Sequence, residues 1–264
     1  MSQQFDVVVI GGGPGGYIAA IRAAQLGFKV ACIDEWKNAS GGPAPGGTCT
    51  NVGCIPSKAL LQSSEHFDQA NHHFAEHGIT ATGVKMDIAK MLTRKDTVVK
   101  QNNDGILYLF KKNKVTFFHG RGSFVAAKDG AYEIKVAGKA EETIFGKHVV
   151  VATGSSARVL PGTPFDEVNI LSNDGALRVG AVPKKLGLIG SGVIGLEMGS
   201  VWRRLGADVT WKDRRGETAA DWWCGQLKGQ PVVQKYRADV LALADAFAAR
   251  GVTLACAADV QRFR

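Results

Sequence analysis

Residues 5–35 read FDVVVIGGGPGGYIAAIRAAQLGFKVACIDE, and their character changes at each cluster of glycines. The apolar, β-branched run Phe5–Ile10 predicts a buried strand, and the alanine- and leucine-rich run after the glycines predicts a helix. Gly27 stands where a helix typically ends on glycine, and Lys29–Glu35 predicts a second strand. Strand, glycine turn, helix and strand form a β-α-β unit, the element of parallel sheets that bind ligands at the carboxyl ends of their strands.

The glycine turn has the G-x-G-x-x-G spacing of dinucleotide sites. Gly11 permits the tight turn, Gly13 lets a pyrophosphate approach the backbone, and Gly16 allows close packing of helix on strand. The helix N-terminus offers N–H groups and the positive end of its dipole to phosphates. An acid at the end of the second strand is expected to bind a ribose hydroxyl, with Asp34 as our choice and Glu35 as the alternative. A turn that only packs a helix on a sheet is the competing interpretation.

A second β-α-β pattern, KLGLIGSGVIGLEMGSVWRRLGADVT, occupies residues 185–210. It repeats the glycine spacing at Gly190, Gly192 and Gly195, and its terminal acid would fall at Asp213. The spacing favours a second nucleotide site, although a Rossmann shape that binds nothing stays open. The fold class we predict is α/β with two Rossmann-like domains, the second incomplete and without a C-terminal interface domain.

Helices and strands are also expected between and beyond these two units. The segment between them predicts helices over Pro56–Glu76 and Asp87–Lys112 and strands over Val115–His119, Tyr132–Val136 and Thr143–Val151. We place a domain boundary near Gly154–Pro164, which divides the chain into residues 1–155, 156–210 and an atypical tail, 211–264. In the tail the strand pattern fails at Trp211–Lys212, and a helix over Asp239–Arg250 and a short strand over Val252–Ala255 are expected.

Two cysteines, Cys49 and Cys54, follow a Gly/Pro/Ser loop in GGTCTNVGCIPSKALL. A zinc site would need a second ligand pair, and the sequence has none at a matching spacing, so we expect no metal. Cys54 begins a predicted helix, where the dipole favours a thiolate, and Lys58 lies on the same helical face. A redox pair and a buried, inert pair both remain open on spacing alone.

Composition limits the other classes of function. The chain has 264 residues and a net charge of +8, but no dense block of Lys and Arg, so we expect no nucleic acid partner. It shows no signal peptide, and no apolar run is long enough to span a membrane. Its five cysteines are too few and odd in number for a secreted disulfide scaffold, which favours a reducing compartment and a cytoplasmic location.

Four segments together resemble the pyridine nucleotide–disulfide oxidoreductases. They are VVIGGGPGGYIAAIRAAQLG, GGTCTNVGCIPSKALL, VVVATGS and LGLIGSGVIGLEMGSVWRRLGADVT, in the family's order. Within that family the ending IPSKALL looks like the dihydrolipoyl dehydrogenases of 2-oxo acid dehydrogenase complexes. The resemblance covers about Phe5–Thr210.

The resemblance implies FAD at the first glycine turn, NAD at the second, and a redox-active disulfide between Cys49 and Cys54. Cys49 would exchange with the lipoyl sulfur of dihydrolipoamide, and Cys54 would be the thiolate in charge-transfer contact with the flavin. Lys58 would lie near the flavin, with Glu197 as its ion partner. The implied partners are the lipoyl group and a second copy of the chain in a homodimer.

Further cofactor contacts follow from the same resemblance. They are implied for Gly47 and Thr48 at the pyrophosphate, and for Gly122, Thr153, Gly154 and Ser155 along the FAD.

The sequence departs from the family after Thr210. There we find neither the Asp-containing return to the FAD domain nor the interface domain with its His–Glu pair, and we expect a truncated or frameshifted chain. Thr50 stands where the family often has an apolar residue. Two other functions therefore stay open: a disulfide reductase of the glutathione or mercuric type, and a non-catalytic flavin-binding remnant.

Overall fold

The first strand, helix and second strand form where their patterns predict them. The computed structural model describes residues 3–128, 130–159, 164–190 and 192–212. Strand β1 is Gln3–Ile10, helix α1 is Pro14–Gln25 and strand β2 is Val30–Asp34. After α1, Gly27 takes a φ of +92°, a left-handed conformation that suits glycine and turns the chain into β2.

Most of the other elements confirm the predicted helices and strands to within a few residues at most ends, whereas α2 and α5 were not predicted. The other elements are α2 (Gly47–Val52), α3 (Cys54–His72), a 3-10 turn (Phe74–His77), α4 (Ile88–Lys112), β3 (Thr116–Lys128), β4 (Ala131–Gly138), β5 (Glu141–Val151), α5 (Asn173–Ala176), β6 (Lys185–Ile189), α6 (Val193–Arg204) and β7 (Asp208–Lys212).

Five strands close into one sheet in the order β1-β2-β3-β4-β5 and back to β1. β1 is parallel to β2 and β5, and β2 is parallel to β3. β4 runs antiparallel between β3 and β5 and closes the sheet. The carboxyl ends of β1, β2 and β5 therefore meet at one edge, which is where parallel α/β folds bind ligands.

Successive residues of β1 face two different cores. Val8 and Ile10 pack inside the closed sheet against residues such as Ile33. Val9 packs on the opposite face, in a cluster that includes Phe110 from α4. Because both faces of β1 are covered, its apolar run is continuous rather than alternating.

The second β-α-β unit consists of β6, α6 and β7. The two strands are parallel, with Leu186 opposite Val209, and α6 buries Met198, Val201 and Trp202. The predicted α/β class with two Rossmann-like units is thus confirmed. By internal contacts the described chain divides into a first unit, up to Pro56 and Lys95–Ser156, and a second unit, Ser57–Arg94 and the residues from Ala157 onward.

Two strands continue further than the sequence predicts. The prediction that β3 ends at His119 is wrong: beyond that residue β3 leaves β2 and pairs antiparallel with β4 as far as Lys128. The prediction that the last strand fails at Trp211–Lys212 is also wrong, since Trp211 pairs with Leu188 of β6. In both cases pairing with a neighbouring strand extends the element beyond its apolar pattern.

Several expectations fall outside the described residues: Asp213 as a terminal acid, the helix over Asp239–Arg250 and the strand over Val252–Ala255. Within the described part, every helix is too short or too polar to cross a membrane. In that same part, His, Cys, Asp and Glu side chains form no group of three or more suited to a metal ion.

Candidate redox-active site

The glycine turn after β1 has no room for side chains at two of its positions. Gly11 has a φ of +110°, and a Cβ there would collide with the backbone of Ala152. A Cβ at Gly16 would collide with the carbonyl of Gly11. Gly13 is the N-cap of α1, and no side chain caps this helix end. The turn therefore presents backbone and a helix dipole, as a phosphate site requires.

The acid at the end of β2 holds the turn closed. Asp34 is buried, and its carboxylate accepts hydrogen bonds from the N–H groups of Gly12 at 2.7 Å and Trp36 at 3.1 Å. Burial raises the pKa of the Asp34 carboxyl above its ordinary 3.8, although the two backbone hydrogen bonds act in the opposite direction. Glu35 is more exposed and lies 3.8 Å from the guanidinium of Arg121.

Cys49 and Cys54 form a disulfide, and their Cα atoms are 4.7 Å apart. Cys49 lies in α2, and Cys54 is the first residue of α3. The two helices meet at Gly53, where an added Cβ would lie 2.9 Å from the carbonyl oxygen of Thr48. A glycine at this position lets the chain fold back tightly enough to bring the two sulfurs together.

Residues 44–54, here called the disulfide segment, lie against the first glycine turn. Gly47 has a φ of +58°, and an added Cβ there would lie 2.7 Å from the Cα of Gly13. The Thr48 hydroxyl donates to the carbonyl of Ser155 at 3.1 Å, which joins α2 to the loop after β5. The turn, α2 and this loop therefore meet at the carboxyl edge of the sheet.

A cavity of about 720 Å³ opens at the same edge, where β2 and β5 end. Trp36, His119 and residues 153–156 contribute to its walls. The Nε2 atom of His119 lies 3.0 Å from the carbonyl oxygen of Trp36, a hydrogen bond that joins two walls. The volume of the cavity falls in the range of sites for cofactors and other small molecules.

The second glycine turn repeats the backbone of the first. Gly190 has a φ of +102°, close to the +110° of Gly11. Gly192 caps α6 in the same extended conformation in which Gly13 caps α1, and Gly195 is buried in α6. At these two pairs of glycines, Gly11 and Gly190 and then Gly13 and Gly192, the β-α-β units share the same backbone conformation.

An ion pair joins α3 to α6 within the second unit. The Nζ atom of Lys58 donates to Oε1 of Glu197. The Glu197 side chain is 14% exposed and that of Lys58 is 58% exposed, so the carboxylate is the more enclosed partner. On α4, Arg94 donates from Nη1 to the carbonyl of Ala59 at 3.0 Å and fixes α3 next to Lys58.

Residues 5–222 match the sequence model of the pyridine nucleotide-disulphide oxidoreductase family. The chain belongs to this family. The match continues a short way past Thr210, near which we expected the resemblance to end.

Two dihydrolipoyl dehydrogenases are similar to the chain. The dihydrolipoyl dehydrogenase of Cupriavidus necator is 58% identical over 212 residues, which cover 80% of this chain and 44% of that protein. The mitochondrial dihydrolipoyl dehydrogenase 1 of Arabidopsis thaliana is 53% identical, over 79% of this chain and 40% of that protein. The chain thus spans less than half the length of these curated relatives.

Solved structures share the fold. LpdA from Mycobacterium tuberculosis has a TM-score of 0.75 and 25% identity, and the match covers 95% of this chain and 50% of that one. The flavoprotein disulfide reductase RclA from Escherichia coli has a TM-score of 0.60 and 26% identity, over 78% of this chain and 41% of that one.

Most residues of the first unit that we expect to contact FAD lie together, but Gly122 does not lie with them. A Cβ at Gly122 would lie 3.1 Å from Ile10 Cγ2 and from Ile33 Cδ1, so the absence of a side chain here has a packing reason. Thr153, Gly154, Ser155 and Glu35 line the cavity, whereas Gly122 lies apart from its lining. A contact between Gly122 and FAD stays a prediction.

Sequence reasoning missed two asparagines that hold the disulfide segment of this family member. Asn51 of α2 and Asn103 of α4 donate to the backbone carbonyls of Ala44, Pro45 and Gly47, just before Cys49. A signal for Asn103 exists in the sequence: it is a polar residue on the apolar face of α4, aligned with Ile106 and Phe110. Asn51 has no comparable signal, because α2 is too short to show a periodic pattern.

Proposed function

We propose that this chain carries out the disulfide chemistry of a dihydrolipoyl-dehydrogenase-like flavoprotein. In that reaction dihydrolipoamide is oxidised to lipoamide, and the electrons pass by way of Cys49–Cys54 and FAD to NAD⁺. The observation that carries the proposal is the Cys49–Cys54 disulfide beside the first glycine turn. The identity with relatives that bear the name dihydrolipoyl dehydrogenase supports it.

The residues at the carboxyl edge of the sheet fit FAD. Gly13 and Gly47 leave a backbone surface without side chains next to the N-terminus of α1, which suits a pyrophosphate. The cavity beside Trp36 offers an aromatic wall and backbone groups at the end of β2. When bound, a flavin would supply the acceptance of an electron pair and its transfer as hydride to nicotinamide.

The two cysteines would carry the exchange with substrate. One thiolate of dihydrolipoamide attacks Sγ of Cys49, which breaks the Cys49–Cys54 bond, forms a mixed disulfide and releases Cys54 as a thiolate. The second thiolate of the substrate then attacks the substrate sulfur that is bonded to Cys49. The bond between that sulfur and Cys49 breaks, and Cys49 leaves as a thiolate. The product is a cyclic disulfide, and the electron pair remains on the two cysteine sulfurs. Cys54 begins α3, where the helix dipole stabilises its thiolate.

Other residues are assigned by the same proposal. Asp34 or Glu35 would face the ribose, Gly47 and Thr48 the pyrophosphate, and Thr153–Ser155 the flavin nucleotide. Lys58, held by Glu197, would place its cation near the isoalloxazine ring. Gly190, Gly192 and Gly195 would form the NAD turn, so that residues 1–155 form the FAD-binding part and residues 156–210 begin the NAD-binding part.

The partners we propose are the lipoyl group of a 2-oxo acid dehydrogenase complex and a second copy of the chain. The compartment we propose is the cytoplasm, since the relative at 58% identity is bacterial and the chain has an odd, small number of cysteines.

Turnover with defined substrates tests the proposal. The purified chain, supplied with FAD, is mixed with NADH and with lipoamide, glutathione disulfide or Hg²⁺, and NADH oxidation is followed by absorbance. We expect oxidation with lipoamide, and none with lipoamide in Cys49→Ser. Faster oxidation with glutathione disulfide or Hg²⁺ would select the alternative reductases, and bound flavin without any turnover would select a non-catalytic remnant.

A further inference from the structure

Asn103 is a buried amide in the middle of a helix that otherwise buries apolar side chains. It is 5% exposed, and Ile106 and Phe110 lie on the same face of α4. A buried amide is unfavourable unless its donors and acceptors are satisfied, and asparagine is a poor helix former. The position therefore needs a reason other than the packing of α4.

Among the described residues, the Asn103 side chain donates to two partners, both in the disulfide segment. Its Nδ2 donates to the carbonyl of Pro45 at 2.8 Å and to Oδ1 of Asn51 at 3.1 Å. Asn51 in turn donates from Nδ2 to the carbonyls of Ala44 at 2.9 Å and Gly47 at 3.0 Å. Two side-chain amides thus hold three backbone carbonyls: those of Ala44 and Pro45 before α2 and that of Gly47, its first residue.

Helix α2 needs this external support because it has only six residues. Helices of this length do not persist on their own in water, so tertiary contacts set the position of α2. Cys49 lies in α2 between two members of the network, Gly47 and Asn51. Cys54 begins α3, so a displacement of α2 relative to α3 moves Cys49 relative to Cys54.

We infer that Asn103 and Asn51 are positioning residues that hold Cys49 within bonding reach of Cys54 and so set the reduction potential of the pair. The inference rests on the proposed function and adds to it the residues that tune the disulfide. A fixed α2 raises the effective concentration of one thiol at the other, which favours the oxidised form. Loss of the network lets α2 move, lowers that concentration and makes the disulfide easier to reduce.

Redox equilibrium with glutathione measures this effect directly. Two glutathione thiols reduce the Cys49–Cys54 bond and become one glutathione disulfide, so the midpoint ratio reports the potential. After alkylation and trypsin cleavage, residues 38–58 form one peptide that contains Cys49 and Cys54 and no other cysteine, so its mass counts the reduced thiols. In the unaltered chain we expect a reversible two-thiol transition.

Two substitutions remove the donor in different ways. Asn103→Leu removes the amide at similar size, and Asn103→Asp keeps the shape but replaces the N–H donor by a second oxygen, which has no proton to donate when the carboxyl is ionised. For each, we expect the equilibrium constant for reduction to rise roughly tenfold, which corresponds to about 30 mV for a two-electron couple. The double variant Asn103→Leu with Asn51→Ala should shift little further, because the two amides act as one network.

Matched controls on α4 separate positioning from stability. Asn102 is exposed and donates to the carbonyl of Val98 in its own helix, at 2.8 Å, so Asn102→Leu should leave the midpoint unchanged. Ile106→Val should lower the stability of the core without moving the midpoint. If both Asn103 variants titrate like the unaltered chain, or shift no more than Ile106→Val, the inference is wrong and the proposed function stands. If Cys49 and Cys54 of the unaltered chain show no redox transition with glutathione, both the inference and the proposed function are wrong.

Discussion

At the scale of single residues, the site depends on backbone positions that accept no side chain. Gly47 and Gly13 approach so closely that a Cβ on Gly47 would lie 2.7 Å from the Cα of Gly13. This contact places the disulfide segment on the glycine turn. Gly15, in the same part of the chain, has open space around it, with no heavy atom within 4 Å of an added Cβ.

Gly47→Ala should therefore destabilise the chain by about 1–3 kcal/mol, because alanine is strained at a φ of +58° and its Cβ displaces the turn. The control is Gly15→Ala in α1, which should be neutral or stabilising by up to about 1 kcal/mol, since alanine favours a helix. Urea denaturation followed by circular dichroism measures both. Equal effects of the two substitutions would contradict the close approach of Gly47 and Gly13.

Asp34 gives a prediction about pH. Because burial raises its pKa in the folded state, its contribution to stability is full below the ordinary pKa of 3.8 and is lost as pH rises through the folded value. Asparagine does not titrate, so the free energy of unfolding of the unaltered chain minus that of Asp34→Asn should fall as pH rises from about 3 to about 6. Urea denaturation across this pH range measures both free energies of unfolding. The contributions of the other carboxylates are the same in both proteins and cancel in the difference. A difference that rises with pH would show that the hydrogen bonds from Gly12 and Trp36 outweigh burial.

At the scale of helices and strands, the sequence predicts what is local and misses what depends on a distant partner. The β-α-β units are recognisable because apolar runs, glycines and helical periods lie within a short window. The continuation of β3 beyond His119 depends on β4, and that of β7 through Trp211 depends on β6. The bonds of Asn103 to Pro45 and Asn51 cross 58 and 52 positions, so no local pattern contains them. The disulfide could be predicted only through the family resemblance, since the spacing of its cysteines left an inert pair open.

The packing of α4 on the sheet gives a prediction at this scale. Phe110 is 1% exposed and stacks on Phe117 with ring centroids 5.5 Å apart. Phe110→Ala should lower the free energy of unfolding by about 3–5 kcal/mol, because it opens a cavity between α4 and β3. Tyr108, nearby on the same helix but 62% exposed, is the matched control, and Tyr108→Ala should change stability by less than about 0.5 kcal/mol. Similar losses for both would mean that α4 packs through a different face.

At the scale of the whole molecule, corresponding glycines of the two turns have the same backbone conformation. Gly11 and Gly190 share a positive φ, and Gly13 and Gly192 cap their helices in the same extended conformation. The first turn has a disulfide beside it and a cavity at the same sheet edge, which is why the chemistry we propose begins there. The chain spans 44% of the Cupriavidus necator relative and 40% of the Arabidopsis thaliana relative.

The most direct test of that chemistry is the visible spectrum of the flavin-loaded chain after two-electron reduction by NADH or dithionite. We expect a long-wavelength band in the reduced unaltered chain, where the electron pair lies on the two cysteine sulfurs and the flavin is oxidised. Cys49→Ser has no disulfide to reduce, so its Cys54 thiolate should give the band with the flavin oxidised, before any reductant is added. Cys54→Ser should retain FAD and lose this band. A band of unchanged intensity in Cys54→Ser would contradict the assignment of Cys54 as the sulfur that faces the flavin.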